Sequence, residues 1–97
     1  MKMSKAVQRL NTNLLQVLAQ INEEAQQIDG FSHLEHTVKF DAFPGSLLVL
    51  CHFKDMQSLQ NGKDAQLENK LQNQLHKLLL KKGIVLKKPK MNLKFHC

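Results

Sequence analysis

The chain has no tryptophan, no tyrosine and only two cysteines, and these absences exclude several classes of protein. Small secreted domains are usually cross-linked by four or more cysteines, so Cys51 and Cys97 do not predict a disulfide framework. Tryptophan and tyrosine are the amphipathic aromatic residues that ligand pockets and interfaces favour. The sequence also lacks a run of about 20 apolar residues and an apolar N-terminal segment. These features predict a cytoplasmic protein without a membrane partner.

Motifs that carry catalytic or metal chemistry are equally scarce. The chain contains neither a phosphate-binding glycine loop nor a serine elbow, and its eight acidic residues show no paired spacing. Cys51 lies in an apolar run, which predicts a buried side chain rather than a nucleophile. His33 and His36 are three apart on a predicted strand and so point to opposite sides. The sequence therefore predicts no enzyme, no cofactor and no metal site.

The composition that is present is typical of one small globular domain over residues 1–97. Hydrophobic residues make up 42% of the chain and charged residues 23%, as in ordinary soluble proteins. A domain of this length hides only about 60 to 65% of the surface that its unfolded chain exposes. Most apolar side chains are then needed for packing, which leaves few for an elaborate site.

The N-terminal part has the spacing of a long amphipathic helix. Apolar residues recur every three or four positions from Ser4 to about Ile28, which lines one face of a helix. Ser4 can cap the first turn, and Gly30 can end the helix in a left-handed conformation. The apolar face could pack on a sheet or form a coiled-coil seam. Glu24 at a seam position favours the sheet.

Two strands are predicted to follow as a β-hairpin. Side chains alternate in polarity over residues 33–40, and a second apolar strand covers residues 47–53. Residues 43–46 place Pro44 and Gly45 at the centre of a β-turn. A hairpin centred there pairs three sets of residues on one apolar face: Phe40 with Val49, Val38 with Cys51, and His36 with Phe53.

The C-terminal half predicts a short helix, a longer helix and a last strand. Asp55 can cap a short helix over Met56–Leu59, and Asp64 can cap a second helix that ends near Lys82, before Gly83. Alternation then resumes at residues 84–86 and 90–96, with Pro89 at an edge or bulge of the strand. The predicted fold class is α+β in the order αββααβ, with the helices on one face of a small sheet.

This order of elements resembles the prokaryotic (type II) KH fold, and the chain is similar in length and layout to ribosome-binding factor A. The resemblance is carried by the strand LLVLCHF, which runs into a capped turn, and by the basic segment LKKGIVLKKPKMNLKF. It implies RNA or the ribosome as a partner. RNA-binding KH domains clamp the backbone with a Gly-x-x-Gly loop. Residues 61–65 read NGKDA at that place, without the second glycine, and ribosome-binding factor A also lacks the loop.

A second resemblance is to small uncharacterised bacterial proteins that are often labelled as regulators of the factor-for-inversion-stimulation type. The shared pattern is DGF, then L..H, then FP.SL.V.C.F, which here spans Asp29 to Phe53. The label implies a DNA-associated regulator. Those regulators end in a helix-turn-helix, whereas the last fifteen residues of this chain alternate like a strand.

Positive charge is concentrated in the last third of the chain. Residues 1–68 hold six basic and eight acidic residues, whereas residues 69–97 hold eight lysines and no acid. Such a stripe is the electrostatic footprint of nucleic-acid binding, although lysines also serve simply to keep a surface soluble. The sequence predicts RNA or ribosome binding, with DNA binding and a protein-interaction module, including a homodimer, as alternatives. The candidate nucleic-acid-binding residues are Lys77, Lys81, Lys82, Lys87, Lys88, Lys90 and Lys94.

Overall fold

The computed structural model describes residues 4–97, which form four helices and one three-stranded sheet. The helices are α1 (Lys5–Ala25), α2 (Met56–Asp64), α3 (Leu67–Lys81) and α4 (Pro89–Asn92), and the strands are β1 (Phe31–Thr37), β2 (Leu48–Phe53) and β3 (Leu93–His96). In the sheet, β2 lies between β1, to which it is antiparallel, and β3, to which it is parallel. The predicted α+β class is confirmed, and α4 is an additional short helix.

The long first helix begins as predicted, but it ends at Ala25, three residues before the predicted Ile28. The Ser4 hydroxyl accepts a hydrogen bond from the Val7 backbone N–H at 3.1 Å, which satisfies one of the free donors of the first turn. Its C-terminal cap is Gln26, in the right-handed conformation, so Gly30, which has a φ of +82°, lies four residues further on and does not end the helix. The apolar face packs against α3 and β1. Its buried members are Leu14, Val17, Leu18, Ile21 and Ala25.

The core lies between one face of the sheet and the helices. Val49, Cys51 and Phe53 of β2 are buried on this face, together with Leu93 and Phe95 of β3. We call it the buried face, and the opposite one the open face. Among residues 4–97, no helix has both the length and the apolar character needed to span a membrane.

Two buried amides fix the C-terminal part to the rest of the core. The Asn92 amide donates to the Leu47 carbonyl at 2.7 Å, and the Gln72 amide donates to the Leu93 carbonyl at 2.8 Å. Removing either side chain would leave a buried carbonyl unpaired, which costs about 1 to 3 kcal/mol. These two residues therefore hold β3 in place beside β2 and α3.

The predicted register of the hairpin is wrong by four residues. His36 lies opposite Val49 and Leu34 opposite Cys51, because the strands are joined by a wide loop rather than by a two-residue turn. A 3-10 turn over Phe40–Ala42 occupies this loop, and the Ser46 hydroxyl bonds both backbone groups of Lys39. Since the error is an even number, each side chain keeps its predicted face.

The predicted turn at Pro44 and Gly45 is also displaced. The closing hydrogen bond runs from the Leu47 N–H to the Pro44 carbonyl at 3.1 Å, so the turn is one residue later than expected. Gly45 does not have the positive φ of a type II turn. The loop is closed instead by the hydrogen bonds between the Ser46 hydroxyl and the backbone of Lys39.

The helices of the second half begin and end at other residues than predicted. Asp55 caps α2 as expected, with the Ser58 N–H 2.7 Å from its carboxylate. However, α2 runs through Asn61 and Gly62 and ends at Asp64, so Asp64 caps no helix. Gln66, with a φ of 62°, separates α2 from α3. A beta-carbon on Gly62 would lie 3.0 Å from the Phe95 ring, so glycine is explained there by close packing.

The last strand is shorter than its alternation predicted. Residues 84–86 form no strand, and Pro89 is the first residue of α4 rather than part of β3. Proline fits the first position of a helix because the N–H that it lacks would have no helical partner there. Met91 consequently lies on α4 and is exposed, whereas Leu93 and Phe95 are buried as predicted.

Candidate nucleic-acid interface

All seven lysines predicted to bind nucleic acid are exposed. Within residues 4–97, none of them forms an ion pair with an acidic side chain. Their positive charge is therefore uncompensated at short range. They lie on α3 or at its end, in the segment before α4, on α4 and on β3: Lys77, Lys81, Lys82, Lys87, Lys88, Lys90 and Lys94.

The first group of lysines lies towards the end of α3. Lys77 and Lys81 are four residues apart, so they project from the same side of the helix. Lys82 follows the last turn and donates a hydrogen bond to the Gln16 side chain of α1 at 2.9 Å. Positive charge at this end is favourable because it faces the negative end of the helix dipole.

The second group surrounds a groove of about 460 Å³ between the loop at residues 42–45 and the segment at residues 85–92. Lys87 and Lys88 line this groove, which we call the C-terminal groove, and Lys90 lies in α4 beside them. Val85 and Met91 also line it and are 57% and 62% exposed. Cationic and apolar side chains thus meet on one surface.

Lys94 lies on the opposite face of the sheet from the lysines of α3. Its neighbours Leu93 and Phe95 point to the buried face, against which α3 packs. Because side chains alternate along a strand, Lys94 points to the open face, next to Leu50 of β2. The seven lysines therefore do not form one flat patch, and the densest run is Lys81 to Lys90.

The residues at the position of a nucleotide-binding loop have structural roles instead. Residues 61–64 belong to the last turns of α2, where Gly62 contacts Phe95. The Asp64 carboxylate accepts a hydrogen bond from the Gln60 side chain at 2.9 Å. A continuous helix does not present the row of free backbone N–H groups that a phosphate clamp needs. The candidate interface thus depends on side-chain charge.

Cys51 is fully buried on the buried face, as predicted. Burial raises the pKa of its thiol to about 12, and the negative charge of Glu68 adds to this effect. A thiol with that pKa is uncharged at neutral pH, whereas the thiolate is the reactive nucleophile. Cys97, in contrast, is exposed.

The open face carries a group of polar side chains that the sequence analysis did not bring together. His33, His52 and His96 lie side by side on β1, β2 and β3, and we call them the histidine row. Glu35 is beside them on β1. The spacing of histidines within one strand could not reveal this group, because it is formed by pairing across strands. The correct hairpin register, which sets His33 opposite His52, is the signal that would have found it.

The chain was compared with three groups of known proteins. Neither the protein-family models nor the curated proteins nor the solved structures contain a match to this chain.

Proposed function

We propose that this protein is a non-enzymatic module that binds structured RNA, free or within the ribosome, through its lysine-rich C-terminal part. The observation that carries this proposal is the set of seven exposed lysines without acidic partners. Such ammonium groups attract phosphates, because binding releases the counterions condensed on the nucleic acid. The affinity then comes from charge and shape.

The contact surface of this proposal is the run from Lys81 to Lys90 with the C-terminal groove. Gly83, with a φ of +80°, ends α3 and redirects the chain, so lysines on both sides of it lie on a bend. Val85 and Met91 offer apolar contact to sugars and unstacked bases beside the lysines. Phe95 is buried and does not take part in stacking.

Two features favour RNA over DNA as the partner. The element order is similar to that of the prokaryotic KH fold, whose members bind RNA. In residues 83–97 the only helix is α4, which at four residues is too short to act as a recognition helix in a major groove.

Arg9 is the single arginine, so bidentate reading of guanine lacks its usual residue. We therefore expect weak sequence preference.

A salt series measures this function directly. If four lysines contact phosphates, the logarithm of affinity should fall against the logarithm of salt with a slope of about −2.8 on single strands and about −3.6 on duplex DNA. Co-sedimentation of the cellular protein with ribosomal particles over the same series would show whether the ribosome holds the RNA.

Two matched sets of four substitutions locate the contact. Changing Lys81, Lys87, Lys88 and Lys90 together to glutamine should remove most of the salt slope without unfolding the protein, since all four are exposed and belong to the proposed contact surface. The control changes four other exposed lysines to glutamine and alters the net charge equally. It should keep most of the slope. Its members are Lys5, Lys39, Lys54 and Lys63.

A protein-interaction module, including a homodimer, is the second candidate. It is favoured by the exposure of Val85 and Met91 at the C-terminal groove. In that function the lysines only keep the surface soluble. Folded protein that fails to retard mixed RNA or DNA at about 50 mM salt would exclude the nucleic-acid function. Sedimentation equilibrium of the same sample would then show whether the protein associates with itself.

A further inference from the structure

We propose that His33, Glu35 and His52 on the open face bind a divalent transition-metal ion of the zinc class, with solvent water filling the remaining coordination position. One nitrogen of each ring and one oxygen of the carboxylate lie within 4.8 Å of one another. In a tetrahedral site with bonds of about 2.0–2.1 Å, neighbouring ligand atoms are about 3.4 Å apart. Side-chain rotations that change these separations by about 1.5 Å or less would therefore complete the site.

Glu35 and His52 already form the closest pair of this site. His52 Nε2 lies 2.7 Å from Glu35 Oε2, a hydrogen bond in which the carboxylate oxygen accepts, at the place where both groups would bind the metal. The His52 side chain is 19% exposed and is held between two strands, whereas that of Glu35 is 56% exposed. The carboxylate can thus turn towards a fixed imidazole. Its negative charge offsets part of the charge of a dication.

The His33 ring stacks on that of His52 and has to tilt before both can bind one ion. The rings of His33 and His52 stack with centroids 4.4 Å apart and an angle of 8° between their planes. His33 Nδ1 lies 3.0 Å from the Ser32 hydroxyl. When Nδ1–H donates to this hydroxyl, the lone pair of Nε2 is free for a metal, which is the arrangement that a hydrogen-bonded histidine ligand usually has. A tilt of the exposed His33 ring would turn this lone pair towards the shared site.

The bulge at Ser32 places His33 on the open face. Phe31 lies opposite Phe53 and His33 lies opposite His52, so one residue of β1 is extra at this point. In a regular strand, Phe31 and His33 would share a face. The extra residue lets Phe31 pack edge-to-face on the Phe53 ring at 6.1 Å while His33 joins the histidine row.

His96, on the third strand, flanks the site without belonging to its donor set. Its ring lies edge-on to that of His52, with centroids 5.1 Å apart. Imidazole nitrogen with one carboxylate suits zinc, copper and nickel rather than magnesium or calcium, which take oxygen ligands. Lys94 is on the same face, one row away beside Leu50. Its like charge opposes a cation, but its exposed ammonium group can remain in solvent.

Calorimetric titration of the metal-free full chain with Zn²⁺ tests the site. We expect one bound ion per chain, and an affinity at least about tenfold lower in His33→Ala and in Glu35→Gln. The matched control is His36→Gln, which removes a histidine of the same strand on the buried face and should keep the affinity. Because the exposed Cys97 thiol could itself bind zinc, all proteins carry Cys97→Ser as well.

NMR spectra of the imidazole nitrogens provide a second readout that does not depend on substitution. Adding Zn²⁺ should shift the signals of His33 and His52, while those of His36 and His76 stay in place. No saturable binding, binding that is equally strong in His33→Ala and Glu35→Gln, or unchanged His33 and His52 signals would each overturn the proposal. Glutamine at the four lysines that test RNA binding should not weaken zinc binding, so the two proposals fail separately.

Discussion

Cys51 shows how the position of one residue in the sheet sets its chemistry. It lies between Leu34 of β1 and Phe95 of β3 on the buried face. The sequence placed Val38 beside it, because the predicted register differed by four residues. Either neighbour is apolar, so the prediction of a buried, unreactive thiol did not depend on the register.

Replacing Cys51 by alanine should lower the free energy of unfolding by about 1 to 2 kcal/mol at pH 7, because a small cavity remains. The difference in the free energy of unfolding between the wild type and this variant should become smaller above pH 9. There the unfolded thiol ionises from its ordinary pKa of 9.0, whereas the folded thiol stays protonated up to about 12. The unfolded wild type then binds fewer protons than the folded one, so its stability falls as pH rises. Urea unfolding of both proteins at pH 7 and above pH 9 measures this.

Thiol labelling of the native protein provides the control. A soluble thiol reagent should modify the exposed Cys97 at once and Cys51 only after unfolding, and the Cys97→Ser protein should react only when unfolded. Rapid reaction of native Cys51, or a stability difference that does not change with pH, would contradict its burial.

Among the elements, the connection between α1 and β1 is closely packed at Gly30. Gly30 has a φ of +82°, and a beta-carbon on it would lie 2.2 Å from the Ser58 hydroxyl of α2. Its carbonyl also accepts a hydrogen bond from the Lys54 N–H at 2.8 Å, beyond the end of β2. Three elements therefore meet at Gly30. This explains why a glycine occupies the centre of the Asp-Gly-Phe motif of residues 29–31.

Gly30→Ala should destabilise the protein by about 1 to 3 kcal/mol, through left-handed strain and the contact with Ser58. Gly83→Ala is the matched control, because Gly83 has a similar φ of +80° but no atom within 4 Å of its added carbon. Chemical denaturation of both variants measures the difference. Equal losses at the two positions would mean that the contact with Ser58 contributes nothing.

The existence of the three longer helices could be predicted from the sequence, but the boundary between α2 and α3, the short helix α4 and the loop that sets the sheet register could not. Ser4, Asp55 and Gly83 are capping residues whose function depends on their own backbone. The loop after β1, in contrast, depends on the Ser46 hydroxyl bonding Lys39 seven residues earlier. Alternating polarity carries no information on such a contact. Likewise, Met91 alternates with Leu93 as a strand would, yet Pro89 begins a helical turn before it.

The candidate site, too, could be predicted only in part. The exposure of the lysines follows from their charge, and all seven are exposed as the sequence predicted. Lys94 and the lysines of α3 lie on opposite faces of the sheet because of how α3 packs, and the sequence pattern carries no information on that packing. The histidine row was missed because a register error of four residues moves His33 away from His52.

On the scale of the whole molecule, charge is distributed unevenly over one compact fold. The eight lysines of residues 69–97 have no acidic residue among them in sequence, although Glu68 precedes them and accepts a hydrogen bond from the Phe95 N–H at 2.8 Å. Like charges on a small molecule repel each other and destabilise the compact state. Dissolved salt screens this repulsion over about 10 Å at 0.1 M.

Raising sodium chloride from about 10 to about 150 mM should therefore raise the melting temperature of the wild type. The rise should be smaller when Lys81, Lys87, Lys88 and Lys90 are all glutamine, because part of the repulsion is gone. The glutamine control at Lys5, Lys39, Lys54 and Lys63 should keep most of the rise. Thermal unfolding followed by circular dichroism measures all three proteins, and an equal rise in the first variant would show that the repulsion lies elsewhere.

The order of the strands determines how one molecule meets another of its kind. With β2 in the centre, the outer edges of the sheet are β1 and β3, and on β3 the Leu93 carbonyl and the Phe95 N–H already bond Gln72 and Glu68. A long, flat edge is a template on which a strand of a second chain can add. Here β3 is only four residues long, and the bulge at Ser32 interrupts β1, beside which α1 packs. Both edges are thus poor templates, so the sheet is protected against extension from molecule to molecule.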